Sequence, residues 1–177
     1  LPFTGGEALY FYDMRKFGGF WFLEKQDYRP PEGYLLLGPD IWSEVDEDTF
    51  IALLKARPRA RIKPLLLDQR FVAGMGNIYT DESLFRSGIH PCRRISSLSE
   101  KEARELFREI CAVLTDGIAC GGTTTRDYRN IYGGTGSFQD LLKVYGRKGA
   151  PCFRCGGPIE RIVVAGRGTY FCLRCQP

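Results

Sequence analysis

Four cysteines near the end of the chain, Cys152-x2-Cys155-x16-Cys172-x2-Cys175, constrain this 177-residue sequence more than any other feature. Each CxxC turn presents two thiolates to one metal, and the residues between the pairs must form a hairpin that brings the pairs together, which is the spacing of a structural zinc site. Ile159 to Val164 reads as one strand, Ala165-Gly166-Arg167-Gly168 as a tight turn, and Thr169 to Phe171 as the returning strand. So short a segment cannot bury enough core to hold itself, so bound metal supplies much of its folding free energy. Four thiolates leave no open coordination position, which makes the metal structural. The competing reading is a pair of disulfides in a secreted module. Cys92, Cys111 and Cys120, scattered through the preceding segment, read as small hydrophobes or surface thiols.

Charge sharpens the picture. Residues 126–177 hold nine Lys and Arg against three acids, a net +6 within a chain of net +4, so the remainder carries −2. A basic C-terminal third on a near-neutral body fits one face made for polyanions. Arg167, between two glycines at the expected turn, suits a phosphate or a groove edge because the glycines allow close backbone approach. No apolar run approaches the roughly 20 residues of a membrane helix. The first residues do not resemble a secretory signal, and the absence of an initial Met is read as processing or truncation upstream.

Glu7 to Tyr12 and Gly19 to Glu24 are rich in Leu, Tyr, Phe and Trp and flank the polar turn Asp13 to Gly18, a pattern that predicts two antiparallel strands. Pro30, Pro31, Gly33, Gly38 and Pro39 then break the chain and set a domain boundary near residue 35. Phe50, Leu53 and Leu54 recur at helical spacing before Pro58, and Ile62 to Gln69 reads as a second short helix. A helix opened by Asn77 and closed at Gly88 follows. The clearest helix starts at Ser99, whose pairing with Glu102 is a capping box, and carries the stripe Ala103, Leu106, Phe107, Ile110, Leu114, Ile118 up to Gly121-Gly122.

Other constellations carry less. Gly74-x-Gly76-Asn77 lacks the third glycine of a dinucleotide fingerprint, and Asn77 alone is an ordinary N-cap, although a helix start with glycine before it can also bind phosphate. Gly133 to Ser137 lacks the lysine of a P-loop and reads as a lid or turn. His90, the single histidine, has no evident partner for a hydrolytic triad. Arg15 and Phe17 share one side of a strand turn. They are either a surface charge beside a core ring or the cation and apolar wedge that replace an unstacked base.

Taken together these motifs resemble the formamidopyrimidine-DNA glycosylase family. The run Phe71 to Phe85 with Gly88-Ile89-His90-Pro91 is similar to its helix-two-turn-helix signature. Val144-Tyr145-Gly146-Arg147-Lys148-Gly149, the four cysteines and Gly166-Arg167-Gly168-Thr169 are similar to its zinc-finger end, and Asp13 to Gly18 to a turn near the end of its N-terminal β-sandwich. Endonuclease VIII relatives share the layout, but the wording here is closer to the first type.

The resemblance implies an α+β fold with a remnant β-sandwich hairpin (1–35), a helix-two-turn-helix DNA-binding domain (36–146) and a four-cysteine zinc ribbon (147–177). It implies DNA contacts by Lys63, Asn77, Arg126, Tyr145, Arg147 and Arg167, void filling by Arg15 and Phe17, and one zinc on Cys152, Cys155, Cys172 and Cys175. Duplex DNA with a damaged base or abasic site is the implied partner, bound by a monomer in the bacterial cytoplasm, and the missing N-terminal domain is a further partner. The parent activity is removal of oxidised purines with β,δ-elimination. Flipping the base costs a few kcal/mol, which the void-filling and phosphate contacts offset.

The sequence also departs from the family. Its nucleophile is the amine of an N-terminal proline followed by glutamate, whereas here Pro2 follows Leu1, its nitrogen is an amide, and Phe3 stands in the glutamate's place. The expectation is a DNA-binding portion, inactive alone. A non-catalytic zinc-ribbon module for nucleic acid is the rival class, and it has no use for the helix-two-turn-helix signature.

Overall fold

The computed structural model describes residues 1–11, 13, 18–21, 36–124 and 134–177. The chain divides into two compact units, Leu1–Leu35 and Leu36–Pro177. In the first, Pro2 pairs with Ala8 in an isolated antiparallel bridge, with Phe3 N donating to Glu7 O at 2.8 Å and Leu9 N to Leu1 O at 2.8 Å. Of the hairpin expected over 7–24, residues 12, 14–17 and 22–24, with Arg15 and Phe17 of its turn, lie outside the described residues.

In the second unit four helices carry the fold: α1 (Glu47–Lys55), α2 (Ile62–Leu67), α3 (Asn77–Arg86) and α4 (Glu100–Ala119). Asp46 caps α1 by accepting from Thr49 N at 2.8 Å, and Phe50, Ile51 and Leu54 form its buried stripe. The helix stops at Ala56, two residues before Pro58, where a proline would remove a helical bond. Pro64 sits in the first turn of α2, where its missing N–H is no loss. In α4 the Ser99–Glu102 capping box forms as expected, and Gly121 and Gly122, both at positive φ, end the helix.

A core of Phe50, Leu54, Ile62, Leu66, Val72, Leu84, Leu106 and Ile110, among others, joins these helices. A second, smaller core lies under the finger and consists of Phe85, Val144, Cys152, Ile159 and Cys172. Helix α3 belongs to both: Leu84 packs in the first and its neighbour Phe85 in the second. Being covered on several sides, α3 buries Thr80, Asp81, Glu82 and Ser83 as well as its apolar residues.

The finger is an antiparallel hairpin of β1 (Glu160–Val164) and β2 (Arg167–Phe171), in register from Glu160↔Phe171 to Val164↔Arg167. The connection is two residues, Ala165 (φ 49) and Gly166 (φ 72), shorter than the four-residue turn read from the sequence. Positive φ at both central positions is the turn whose twist matches the strands. Arg167 therefore opens β2 instead of sitting inside the turn. Among the described residues no helix is long and apolar enough to cross a membrane.

Candidate metal centre and nucleic-acid interface

Cys152, Cys155, Cys172 and Cys175 place their Sγ atoms within 4.8 Å of one another, with Cys152–Cys175 at 3.8 Å and Cys155–Cys172 at 3.4 Å. A tetrahedral zinc with bonds of about 2.3 Å sets its sulfurs about 3.8 Å apart. The cluster fits one such ion, and no fifth ligand is at hand among the described residues. Burial raises the Cys152 thiol, but N–H groups of Arg154 and Cys155 and the neighbouring sulfurs outweigh this and bring it down to about 7, whereas burial and the other thiols push Cys175 up to about 12. Four thiols so close cannot all ionise unaided, and a dication removes that conflict. The chain thus carries a four-cysteine structural zinc site. Cys92, Cys111 and Cys120 are free thiols apart from it.

The finger is fastened along the whole length of α3 by polar groups. At the helix's C-terminal end Arg154 donates to Phe85 O (2.8 Å) and Arg86 O (2.7 Å), placing a cation on the negative end of the helix and over the Phe85 ring. One turn back, the fully buried Glu82 carboxylate accepts from the N–H groups of Lys143, Val144 and Tyr145, each at 2.9 Å, and so fixes the chain as it enters the finger. Asp81 accepts from Tyr170 N at 2.9 Å and pairs with Lys63 Nζ at 2.6 Å, both side chains at 0% exposure. Burial pushes the Asp81 carboxyl up to about 6 against the opposing pull of Lys63, and burial lowers the Lys63 ammonium. At the N-terminal end Asn77 Nδ2 donates to Gly168 O at 3.0 Å, and Lys63 Nζ reaches the same carbonyl at 3.3 Å. Gln176 closes the far side, accepting from Cys172 N and donating to Ile89 O, both at 2.9 Å.

These bonds set the exposed Arg167 beside the start of α3. Between them lies a cleft of about 420 Å³ lined by residues that include Leu67, Gly76, Asn77, Ala165 and Arg167. A second cleft of about 360 Å³, with Tyr79, Gly122 and Thr123 in its wall, opens on the other side of Gly76 and Asn77. The N-cap of α3 is Gly76, without a side-chain cap; Asn77 is the first helical residue and not the N-cap expected from the sequence. At Gly76 φ is −107°, ordinary for any residue, and a Cβ would meet nothing within 4 Å. Nothing in the fold requires glycine there. Its effect is to leave the N–H groups at the helix start open to an incoming anion.

Lys63 and Asn77 thus meet at one carbonyl, that of Gly168, the residue that follows Arg167 in β2. Lys63, read from sequence as a DNA contact, has no exposed surface and reaches the cleft only through the hairpin it holds. Tyr145 is half-buried, edge-on to Tyr170 at 5.0 Å between centroids. Arg147 spends its guanidinium on Lys143 O (2.6 Å), Pro151 O (3.1 Å) and the Phe153 ring at 3.8 Å. Arg126 lies outside the described residues. Sequence reasoning missed Asp81, Glu82, Arg154 and Gln176. The one signal for the first two was the polar run Thr80-Asp81-Glu82-Ser83 in the middle of a helix flanked by apolar residues.

Residues 37–129 match the family model described as the formamidopyrimidine-DNA glycosylase H2TH domain, and residues 149–177 match the zinc finger found in FPG and IleRS. The formamidopyrimidine-DNA glycosylase of Geobacillus kaustophilus is 49% identical over 176 residues, which cover 98% of this chain and 64% of that protein. The crystal structure of the MutM (FPG) protein from Thermus thermophilus superimposes with a TM-score of 0.84 at 48% identity, over 93% of this chain and 62% of that one. The Lactococcus lactis Fpg in complex with abasic-site DNA gives 0.74 at 42%, over 82% and 54%. The chain spans a little under two thirds of the length of the curated relatives it matches. This chain belongs to the formamidopyrimidine-DNA glycosylase family.

Proposed function

We propose that this chain supplies the duplex-DNA grip of a base-excision glycosylase and AP lyase that removes oxidised purines such as 8-oxoguanine and formamidopyrimidines, working in the bacterial cytoplasm as a monomer. The observation that carries the reading is the placement of Arg167 against the uncapped start of α3, enforced by the shared Gly168 carbonyl. A helix N-terminus offers free N–H groups and partial positive charge, and an exposed guanidinium beside it completes a site for backbone phosphate. Asn77 keeps one amide N–H for Gly168 and has a second for the phosphate. Arg167 holds the next phosphate.

Lys63 is assigned a positioning role: its charge is matched by Asp81, and it acts on DNA through the hairpin tip. Tyr145 contributes its hydroxyl edge, and Arg147 braces the finger's entry. Arg126, in the loop that closes over the base, and Arg15 with Phe17, which fill the space of the flipped nucleotide, carry over from the family. Residues 1–35, 36–146 and 147–177 are the corresponding sandwich end, helical domain and finger.

The test is equilibrium binding to duplexes with and without an abasic-site analogue, and to RNA of the same sequence. Tighter binding to the abasic duplex than to intact duplex or RNA supports the reading, and equal affinity for all three contradicts it. Because phosphate contacts carry no sequence information, Asn77→Ala and Arg167→Ala should each weaken binding to every duplex alike.

A further inference from the structure

One strongly charged surface has no part in the proposed grip. Arg57, Arg59 and Arg61 alternate with Pro58, Ala60 and Ile62 along the segment that leads into α2. That segment runs antiparallel to residues 91–96: Arg61 pairs with Arg94, and Ile62 N donates to Arg93 O, Ile95 N to Ala60 O and Ser96 N to Pro58 O, each at 2.9 Å. The ladder is limited to the Arg61–Arg94 bridge, because Arg57 to Ala60 form a turn closed by Ala60 N donating to Arg57 O at 3.0 Å and Ile95–Ser97 a 3-10 turn. Ile62 and Ile95 enter the helical core, and Arg57, Arg59, Arg61 and the cross-strand Arg94 are exposed. Like charges directly opposite each other destabilise a strand pair. A surface shaped by stability alone would neutralise them, yet among the described residues no acid reaches any of the four. The acids that α4 presents nearby are already engaged, Glu100 by Lys55 and Arg104, and Glu102 by Arg93.

We infer that this arginine ridge is a second phosphate-binding surface, which takes the backbone of duplex DNA running on from the α3–hairpin cleft. The inference rests on the proposed function. Helix α2 joins the two surfaces: Arg61 is its N-cap, while Pro64 and Leu67, farther along the same helix, line the cleft. Six residues of helix span about 9 Å, and duplex DNA presents one charge per about 1.7 Å of axis, so a duplex seated in the cleft continues past the ridge. Guanidinium groups suit phosphate, and contacts of this kind add affinity without reading bases.

The experiment compares the wild-type chain with R57Q/R59Q/R61Q/R94Q and with the smaller R59Q/R94Q, using a short duplex that just fills the cleft and a longer one, each with and without an abasic analogue, across a salt series. All four side chains are exposed, and removing like charges relieves repulsion, so the melting temperature should hold or rise. On the long duplex the slope of log affinity against log salt should become shallower by about 0.9 for each phosphate that the variant no longer neutralises, with affinity down about tenfold or more for the fourfold variant at moderate salt. The loss should be the same with or without the abasic site and nearly absent on the short duplex. An unchanged slope on the long duplex, in a series where Asn77→Ala still weakens binding, overturns the ridge and leaves the cleft standing. Loss of binding to polyglutamate but not to DNA overturns it in favour of an acidic protein partner. Failure of the wild-type chain to bind any duplex overturns the proposed function, and the ridge with it.

Discussion

Helix α3 is gripped on its two sides by different physics. Toward α1, α2 and α4 it packs in a broad apolar core, where many interactions of similar kind share the load and no single hydrogen bond decides the geometry. Toward the finger the apolar core is small, and position is set by a few polar groups of fixed direction: the buried Glu82 and Asp81 with Lys63, the half-buried Asn77 and the exposed Arg154. Apolar packing is non-directional, whereas a buried hydrogen bond is costly to leave unmade. The helical side therefore gives stability and the finger side gives register. That register is what a site shared between the start of α3 and a hairpin tip needs.

The largest effect should come from removing the metal. A strong chelator, or Cys172→Ser, should unfold residues 147–177 while α1 to α4 persist, because structural zinc contributes on the order of 10 kcal/mol to so small a unit and the helical core is independent of it. Amide exchange would show protection lost in the finger and kept at Leu106 and Ile110; joint loss of both regions would break the distinction between the two sides.

Next in size is the buried pair. Lys63→Met strands the Asp81 carboxylate away from water and should destabilise by about 3–5 kcal/mol, whereas replacing both partners with apolar residues of similar volume should recover much of that. Urea unfolding of the two singles and the double measures it. Additive losses would mean that the pair is not the unit that fastens β2.

These polar fasteners also mark the limit of what the sequence makes legible. The CxxC spacing reads directly because metal coordination dictates it, and the Ser99–Glu102 box reads because both partners are local. Lys63 and Asp81 stand 18 positions apart, and a charged residue reads as exposed by default. Their burial follows from the finger folding back over α3, a tertiary event with no local signature. Asn77 reads as an N-cap for the same reason: its actual partner, the Gly168 carbonyl, is 91 residues away. Ala165 at positive φ has no signal in the sequence either, since glycine or asparagine is the usual mark of that turn.

A smaller effect tests the helical side. Arg93 and, less strongly, Ser99 hold the Glu102 carboxyl at about 2, below its usual 4.5, against a burial effect that raises it. A lowered carboxylate pKa contributes stability that is complete above about pH 4.5 and is lost as pH falls toward 2. With a side chain about one third exposed, Glu102→Gln should cost about 0.5–1 kcal/mol at neutral pH and nothing near pH 2. A difference that persists unchanged in acid would remove the ion pair from the account of the α4 start.

The most direct measurement is a double-mutant cycle on duplex affinity, with Asn77→Ala and Arg167→Ala alone and together. If α3 positions Arg167 through the Gly168 carbonyl, the loss of Asn77 already displaces the hairpin tip, and Arg167→Ala should then weaken binding less in that background than in the wild type, with a coupling of at least about 0.5 kcal/mol. Losses that add independently would contradict the claim that the helix start and the hairpin tip form one site.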